Sequence, residues 1–333
     1  MSVMILLTLG LSLFLYLFFA GADLGAGILE LIPKKDLREE QEQLIQRAMG
    51  PMWEANHIWM ILALVVFFTA YPKAFSTFMT YYHFPLSFLL FGILLRGTSF
   101  TFRHYDPVKD WSHHLYHKLF TFSSLWSTLW MGILAGSLIK GIPKVDHIDF
   151  PFLLSFWCSP LTLAVGAFMV FVVNFIASVF LISETKDREL KNHFMRRGLQ
   201  SISALVITGA MVFFLMLVEA PWAFERFFTN RFSLGCFILS TLLLYPLWRM
   251  VSQDRPWSRY LTGIQIFLVM FGGFWVQYPL ILNIQGGQDL TYVNTLAPLP
   301  TQRLILWALG FGFLMILPFY FYLLKIFKGH TFK

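Results

Sequence analysis

The chain has 333 residues, of which 57% are hydrophobic and only 13% charged, against roughly a quarter charged in an ordinary soluble domain. That balance excludes a soluble globular fold and makes lipid the solvent for most of the molecule. The formal net charge of +7 does not read as a nucleic-acid footprint, because Lys and Arg sit in short connectors between apolar runs, a placement that serves topology and contact with anionic lipid.

Runs of about 20 apolar residues, enough to cross roughly 30 Å of hydrocarbon, fall at 3–31, 52–72, 75–97, 116–140, 151–183, 198–219, 232–250, 259–284 and 302–327. The expected fold is an all-α integral membrane protein of about nine transmembrane helices, arranged as two four-helix bundles plus one peripheral helix. The load of 38 Phe and 11 Trp suits bilayer packing and interfacial belts. Met1 to Ala20 is apolar without a basic leader or a following cleavage pattern, so it reads as a retained first helix rather than a removed signal peptide.

The connectors Pro33 to Arg47, Arg103 to Lys118, Glu184 to Arg197 and Gln253 to Arg259 are too short for a soluble domain. The chain therefore reads as one transmembrane domain over 1–333. The mixed-charge connectors that follow the first and fifth spans also fit a duplicated unit, 1–140 and 151–284. Lys73, Lys140, Lys144, Arg226, Arg231 and Arg303 lie on the N-terminal side, and the rest of the 25 basic residues lie opposite. The positive-inside rule then puts the N-terminus outside and the C-terminus, with Lys325, Lys328 and Lys333, in the cytoplasm.

Ionisable side chains inside a span cost about 2.5–3.5 kcal/mol each on insertion scales and so need a partner, a wet cavity or a function. The first span ends Asp23-Leu24-Gly25-Ala26-Gly27-Ile28-Leu29-Glu30. Asp23, Gly27 and Glu30 share one helical face, and the glycines would let a second helix come close. Asp23 is expected to point into the bundle, whereas Glu30 is expected to be solvated at the helix end. The second span opens Pro51-Met52-Trp53-Glu54-Ala55-Asn56-His57-Ile58-Trp59, a polar cluster between two tryptophans just inside the cytoplasmic interface. A carboxylate at Glu54 also has a plain structural role near a helix N-terminus. Arg96 and Arg103, seven apart at the end of the third span, either pair with acids such as Asp23 or Glu54 or snorkel to the headgroups. Both readings stay open at this level.

Of the nine histidines, His104, His113, His114, His117, His147, His193 and His330 fall in connectors or at helix ends, where solvated or interfacial roles prevail. His57 and His83 are better placed, yet a lone histidine near a helix end is more often hydrogen-bonded structure than a haem ligand. The sequence has no CxxCH motif and no metal-ligand spacing, so no metal or haem site is expected in this chain. Cys158 and Cys236 read as small apolar residues rather than a bridge.

At these residues the chain resembles subunit II of the cytochrome bd-type ubiquinol oxidases. The resemblance is carried by Asp23-Leu24-Gly25-Ala26-Gly27 and by Trp53-Glu54-Ala55-Asn56-His57-Ile58-Trp59, an acid-x-Gly-x-Gly and a Trp-acid-x-Asn-x-x-Trp element. Weaker agreement follows at Arg96, Phe100 and Arg103, at Gly141-Ile142-Pro143, at Tyr278-Pro279 and from Leu290-Thr291-Tyr292 to Asn294 and Ala297. The family's additional Asp-Gly before the matched acid reads Ala20-Gly21 here, so any role of that carboxylate is missing or met elsewhere.

The resemblance implies a haem-poor subunit of a quinol:oxygen oxidoreductase in a bacterial inner membrane. Haem b and haem d would be held by the partner, subunit I. Quinol would be the substrate of the complex, and a structural quinone, membrane lipid and a small accessory transmembrane subunit would be further associates; nucleic acid would not. Glu54, Asp23, Asn56 and His57 would form a cytoplasm-side proton path, with Arg96 and Arg103 as counter-ions. Trp53 and Trp59 would face the partner or an oxygen route. The competing reading is a secondary transporter, since intramembrane acids and glycine-interrupted helices also describe ion sites.

Overall fold

The computed structural model describes residues 1–33, 35–50, 53–105, 111–143, 149–255 and 257–329, and within these the side chains of 35, 53–55, 104, 317, 320, 321 and 323–329 lie outside the description. Twelve α-helices follow in order: α1 Ser2–Leu29, α2 Arg38–Met49, α3 Trp53–Ala70, α4 Pro72–Tyr105, α5 Trp111–Lys140, α6 Phe150–Trp157, α7 Pro160–Glu184, α8 Arg188–Glu219, α9 Pro221–Thr229, α10 Arg231–Ser252, α11 Ser258–Gln277 and α12 Leu299–Gly329. Two short strands, β1 Leu280–Leu282 and β2 Leu290–Thr291, pair antiparallel between α11 and α12. Among the described residues eight helices are long and apolar enough to cross a membrane, and α3 adds a shorter apolar one over Asn56–Ala70. The chain is thus a multi-pass helical membrane protein with about nine passes, as its hydropathy implies.

Helices α1, α3, α4 and α5 pack as one group and α7, α8, α10 and α11 as another, with α12 resting on α1 and α3. The seam between the groups runs where α1 and α5 meet α7. Glycine makes the seam close: a Cβ at Gly25 would fall on the Val173 carbonyl of α7, and one at Gly132 would meet the backbone of Gly166. Helices associating in lipid gain chiefly from such van der Waals contact, because lipid tails are as apolar as leucine.

Three expected elements differ. The apolar run 151–183 is two helices rather than one, broken at Cys158 and Ser159. Pro160 has no N–H to donate and its ring would clash with the carbonyl four residues back, while Ser159 caps α7 through Thr162 N and Asp149 caps α6 through Phe152 N. The run 259–284 ends as a helix at Gln277 for a related reason, Pro279, after which the chain turns into β1. The connector from Pro33 leads into a 12-residue helix, α2, whose Gln41, Ile45 and Met49, spaced by four, are buried while Arg38, Glu39, Glu40 and Arg47 are exposed.

Three of the weakly matching segments, at 141–143, 278–279 and 290–297, meet at one end of the molecule. The Ile142 amide donates to Asn283 O and the Gln285 amide to Ile142 O; Tyr292 N donates to Pro279 O and Ala297 N to Ala70 O. These bonds tie the ends of α3, α5 and α11 to the β hairpin. Gly141, at φ +79°, makes the turn that brings Ile142 to it. The opposite end, where α1 finishes and α4 approaches α5, carries the buried charges. Cys158 and Cys236 are both free.

Candidate functional site

Three helices of the first group carry polar residues at seven-residue intervals: Tyr16, Asp23 and Glu30 on α1, Arg96 and Arg103 on α4, His117 and Ser124 on α5. A step of seven is nearly two full turns, about 10 Å along the axis, so the three rows stack into layers. In the deeper layer Arg96 Nη2 donates to Asp23 Oδ1 at 2.7 Å and to the Asp23 carbonyl at 3.0 Å, while Arg96 Nε donates to Ser124 Oγ at 3.0 Å. In the layer nearer the helix ends Arg103 grips Glu30 with two donors, Nη1 to Oε2 at 2.6 Å and Nη2 to Oε1 at 3.3 Å. No side chain of these four ions is more than 3% exposed.

Phe120 lies between the layers, its ring centroid 4.7 Å from the Arg96 guanidinium carbon and 4.4 Å from that of Arg103. Both cations therefore gain from the ring quadrupole in a site closed to water. At Gly27, on the α1 face between the two acids, α5 comes close: any Cβ there would fall on Ser124. Glu30 stands at the carboxy end of α1, the negative end of its dipole, which disfavours it. Arg103 offsets that cost and sits in the last turn of α4, where a cation is favoured.

His117 joins the outer layer. Its Nδ1 lies 3.2 Å from Glu30 Oε2, 3.3 Å from Arg103 Nη1 and 3.5 Å from Glu42 Oε1 on α2. Helix α2 is held beneath the bundle by Gln41, fully buried, whose Nε2 donates to Leu29 O at 3.1 Å. Further into the span, Asn56 Nδ2 donates to Phe19 O at 3.4 Å, and the His57 ring stands 6.1 Å from that of Tyr16. Asn56 Oδ1, His57 Nδ1 and Tyr16 Oη are buried without hydrogen-bond partners among the described residues.

Of the residues singled out in the sequence, Asp23, Arg96, Arg103 and Asn56 are buried together at this end. Glu30 corrects its expectation: instead of being solvated it is 2% exposed and paired, because α4 and α5 extend past the apolar runs and enclose the end of α1. His117 likewise is buried rather than interfacial. Trp59 packs inside the chain against Tyr16 and Ala20, near Phe313 of α12. The side chains of Trp53, Glu54 and His104, together with His147 and His330, lie outside the described residues. Sequence reasoning gave His117 an interfacial role and passed over Glu42, Ser124 and Tyr16; the shared seven-residue spacing on three helices was the available signal.

Fold and site together define a polytopic helical membrane protein with a stack of buried ion pairs at one end of its first bundle. The sequence model of the family "Cytochrome bd terminal oxidase subunit II" matches residues 1–327, and the chain belongs to that family. It is similar to cytochrome bd ubiquinol oxidase subunit 2 of Bacillus subtilis (strain 168), 22% identical over 285 residues that cover 84% of this chain and 81% of the relative. It is also similar to cytochrome bd-I ubiquinol oxidase subunit 2 of Escherichia coli (strain K12), 23% identical over 128 residues covering 38% and 33%. A chain in the structure of bd oxidase from Geobacillus thermodenitrificans superposes with a TM-score of 0.78 at 19% identity, covering 98% of each chain. The protein is therefore subunit II of a cytochrome bd-type, haem-containing terminal oxidase complex of a bacterial membrane, with a subunit I as its partner.

Proposed function

We propose that this chain is the haem-poor subunit of a quinol:oxygen oxidoreductase, supporting assembly of the haem-bearing subunit I and supplying a proton path from the cytoplasm. The observation that carries the reading is the buried Asp23–Arg96 pair, at the end of the molecule that the distribution of basic residues assigns to the cytoplasm. Quinol would supply the electrons, and the haems of the complex would carry them to oxygen. Protons for water formation would be drawn inward past Glu54 and Asp23, with Asn56 and His57 hydrogen-bonding in the path and Arg96 setting the charge balance. The partnerless polar atoms of Asn56, His57 and Tyr16 suit a wet polar passage, because buried polar groups are rarely left unbonded. A structural quinone, lipid and a small accessory helix would associate with the same complex.

A transporter would place its ionisable groups near the bilayer midplane, whereas these acids cluster toward one end. A reduced-minus-oxidised spectrum of the complex purified through this chain should show haem b and d bands that are absent when the chain is expressed alone. Replacing Glu54 by Gln should cut oxidase turnover by about a hundredfold, the scale of one positioned proton donor, at normal haem content. Full activity in that variant would remove Glu54 from the path.

A further inference from the structure

The Asp23–Arg96 layer lies about two helical turns inside the bundle, and the outer layer stands between it and the aqueous end. Three carboxylate- or imidazole-bearing side chains there fall off in exposure in order: Glu42 is 19% exposed, His117 9% and Glu30 1%. They come from α2, α5 and α1 and converge on a single atom, His117 Nδ1, with Arg103 of α4 as its third neighbour.

That convergence gives the imidazole two states with different partners. An arginine can only donate, so a bare Nδ1 accepts from Arg103. Once protonated, Nδ1 can only donate, and the acceptors within reach are Glu30 and Glu42. Glu30, Glu42 and Arg103 together carry one net negative charge, which a protonated His117 brings to zero. Arg38 also pairs with Glu42 at 3.0 Å but is 46% exposed and correspondingly screened. On α5 itself His113 and His114 precede His117 by about a turn, and Lys118 follows it. The Arg103 Nε is buried with no partner among the described residues.

We infer that Glu42, His117 and Glu30 form the proton-collecting mouth of this subunit, with His117 the carrier that moves protons from the aqueous side to the layer below Asp23. This rests on the proton-path reading above. A proton taken from bulk water binds Glu42. The Glu42 O–H bond breaks as the His117 Nδ1–H bond forms, and that bond breaks in turn as Glu30 Oε2 is protonated. No electron moves, and each proton delivered is replaced by one from solution. Both transfers use the same nitrogen, so no ring flip is required.

The test compares His117→Asn and Glu42→Gln with Glu54→Gln in the intact, tag-purified complex, measuring turnover at saturating quinol between about pH 6 and 9. Haem content serves as the control for assembly. The expected result is normal haem content with turnover of His117→Asn lowered about tenfold or more toward the alkaline end, where protons are scarce and a positioned carrier matters most. Glu42→Gln should shift the profile the same way by less. A merely structural role would lower haem content or activity evenly without bending the pH profile. Wild-type profiles in both variants beside a slow Glu54→Gln would overturn the mouth and leave the path standing. A normal Glu54→Gln as well would overturn the path reading itself. If His117→Asn fails to assemble, Glu42→Gln decides alone: a displaced alkaline limb supports the relay and an unchanged one overturns it.

Discussion

The two helix groups handle charge at the same end of the molecule in opposite ways. In the first, Asp23–Arg96 and Glu30–Arg103 are sealed from water to within 3%. In the second, Arg259 meets Glu184 at 2.8 Å with exposures of 23% and 31%, and Lys191 meets Asp254 at 2.5 Å with 26% and 42%. Distances are alike; surroundings differ. A pair that keeps its water gains little by forming and loses little by breaking. A pair without water is held by mutual need, since removing one partner strands a charge in low dielectric. The first arrangement suits a place where charge must be kept deep in the membrane, and the second suits a fastening between neighbouring helices.

The sharpest way to break the comparison is to delete the same residue type from each group. Arg96→Leu should destabilise the subunit by about 3–5 kcal/mol, the cost of orphaning a buried partner, and should be read as loss of assembled complex or a much lower thermal midpoint in detergent. Arg259→Leu should cost at most about 1 kcal/mol. Equal losses would show that burial is not what separates the two groups.

Next in size is the seam between them. Gly25→Ala pushes a methyl onto the Val173 carbonyl and should cost about 1–3 kcal/mol by overpacking. Gly273→Ala, where a Cβ meets nothing within 4 Å, is the matched control and should leave the melting temperature unchanged. The smallest effect belongs to the fastening of α2. Gln41→Ala removes the side-chain donor to Leu29 O and should cost about 1 kcal/mol, seen as faster hydrogen exchange over Arg38–Met49.

Much of the architecture was legible in the chain because hydropathy is a local property: about 20 apolar residues in a row must span the bilayer whatever their neighbours do. Boundaries set by proline needed more care, since the run 151–183 is apolar throughout and only Ser159-Pro160 marks its break. Asp23 was readable as a buried acid because Gly25 and Gly27 beside it signal a close helix, and a charge on such a face must be met by something.

Which charge meets which was not readable. Each arginine of α4 finds its acid on α1 across 73 residues of sequence, and sequence alone left Arg96 equally free for headgroups or other acids. Glu30 looked like a solvated helix end and His117 like an interfacial histidine, because each was judged by its own segment. Both are buried by elements that arrive from elsewhere, α2 beneath them and the extended ends of α4 and α5 around them. The sequence by itself determined that this protein lives in a membrane, how often it crosses and which residues are costly to bury. Only the tertiary structure decided that those residues share one interior, because pairing of charges depends on distance and exclusion of water, and neither is a property of any single helix.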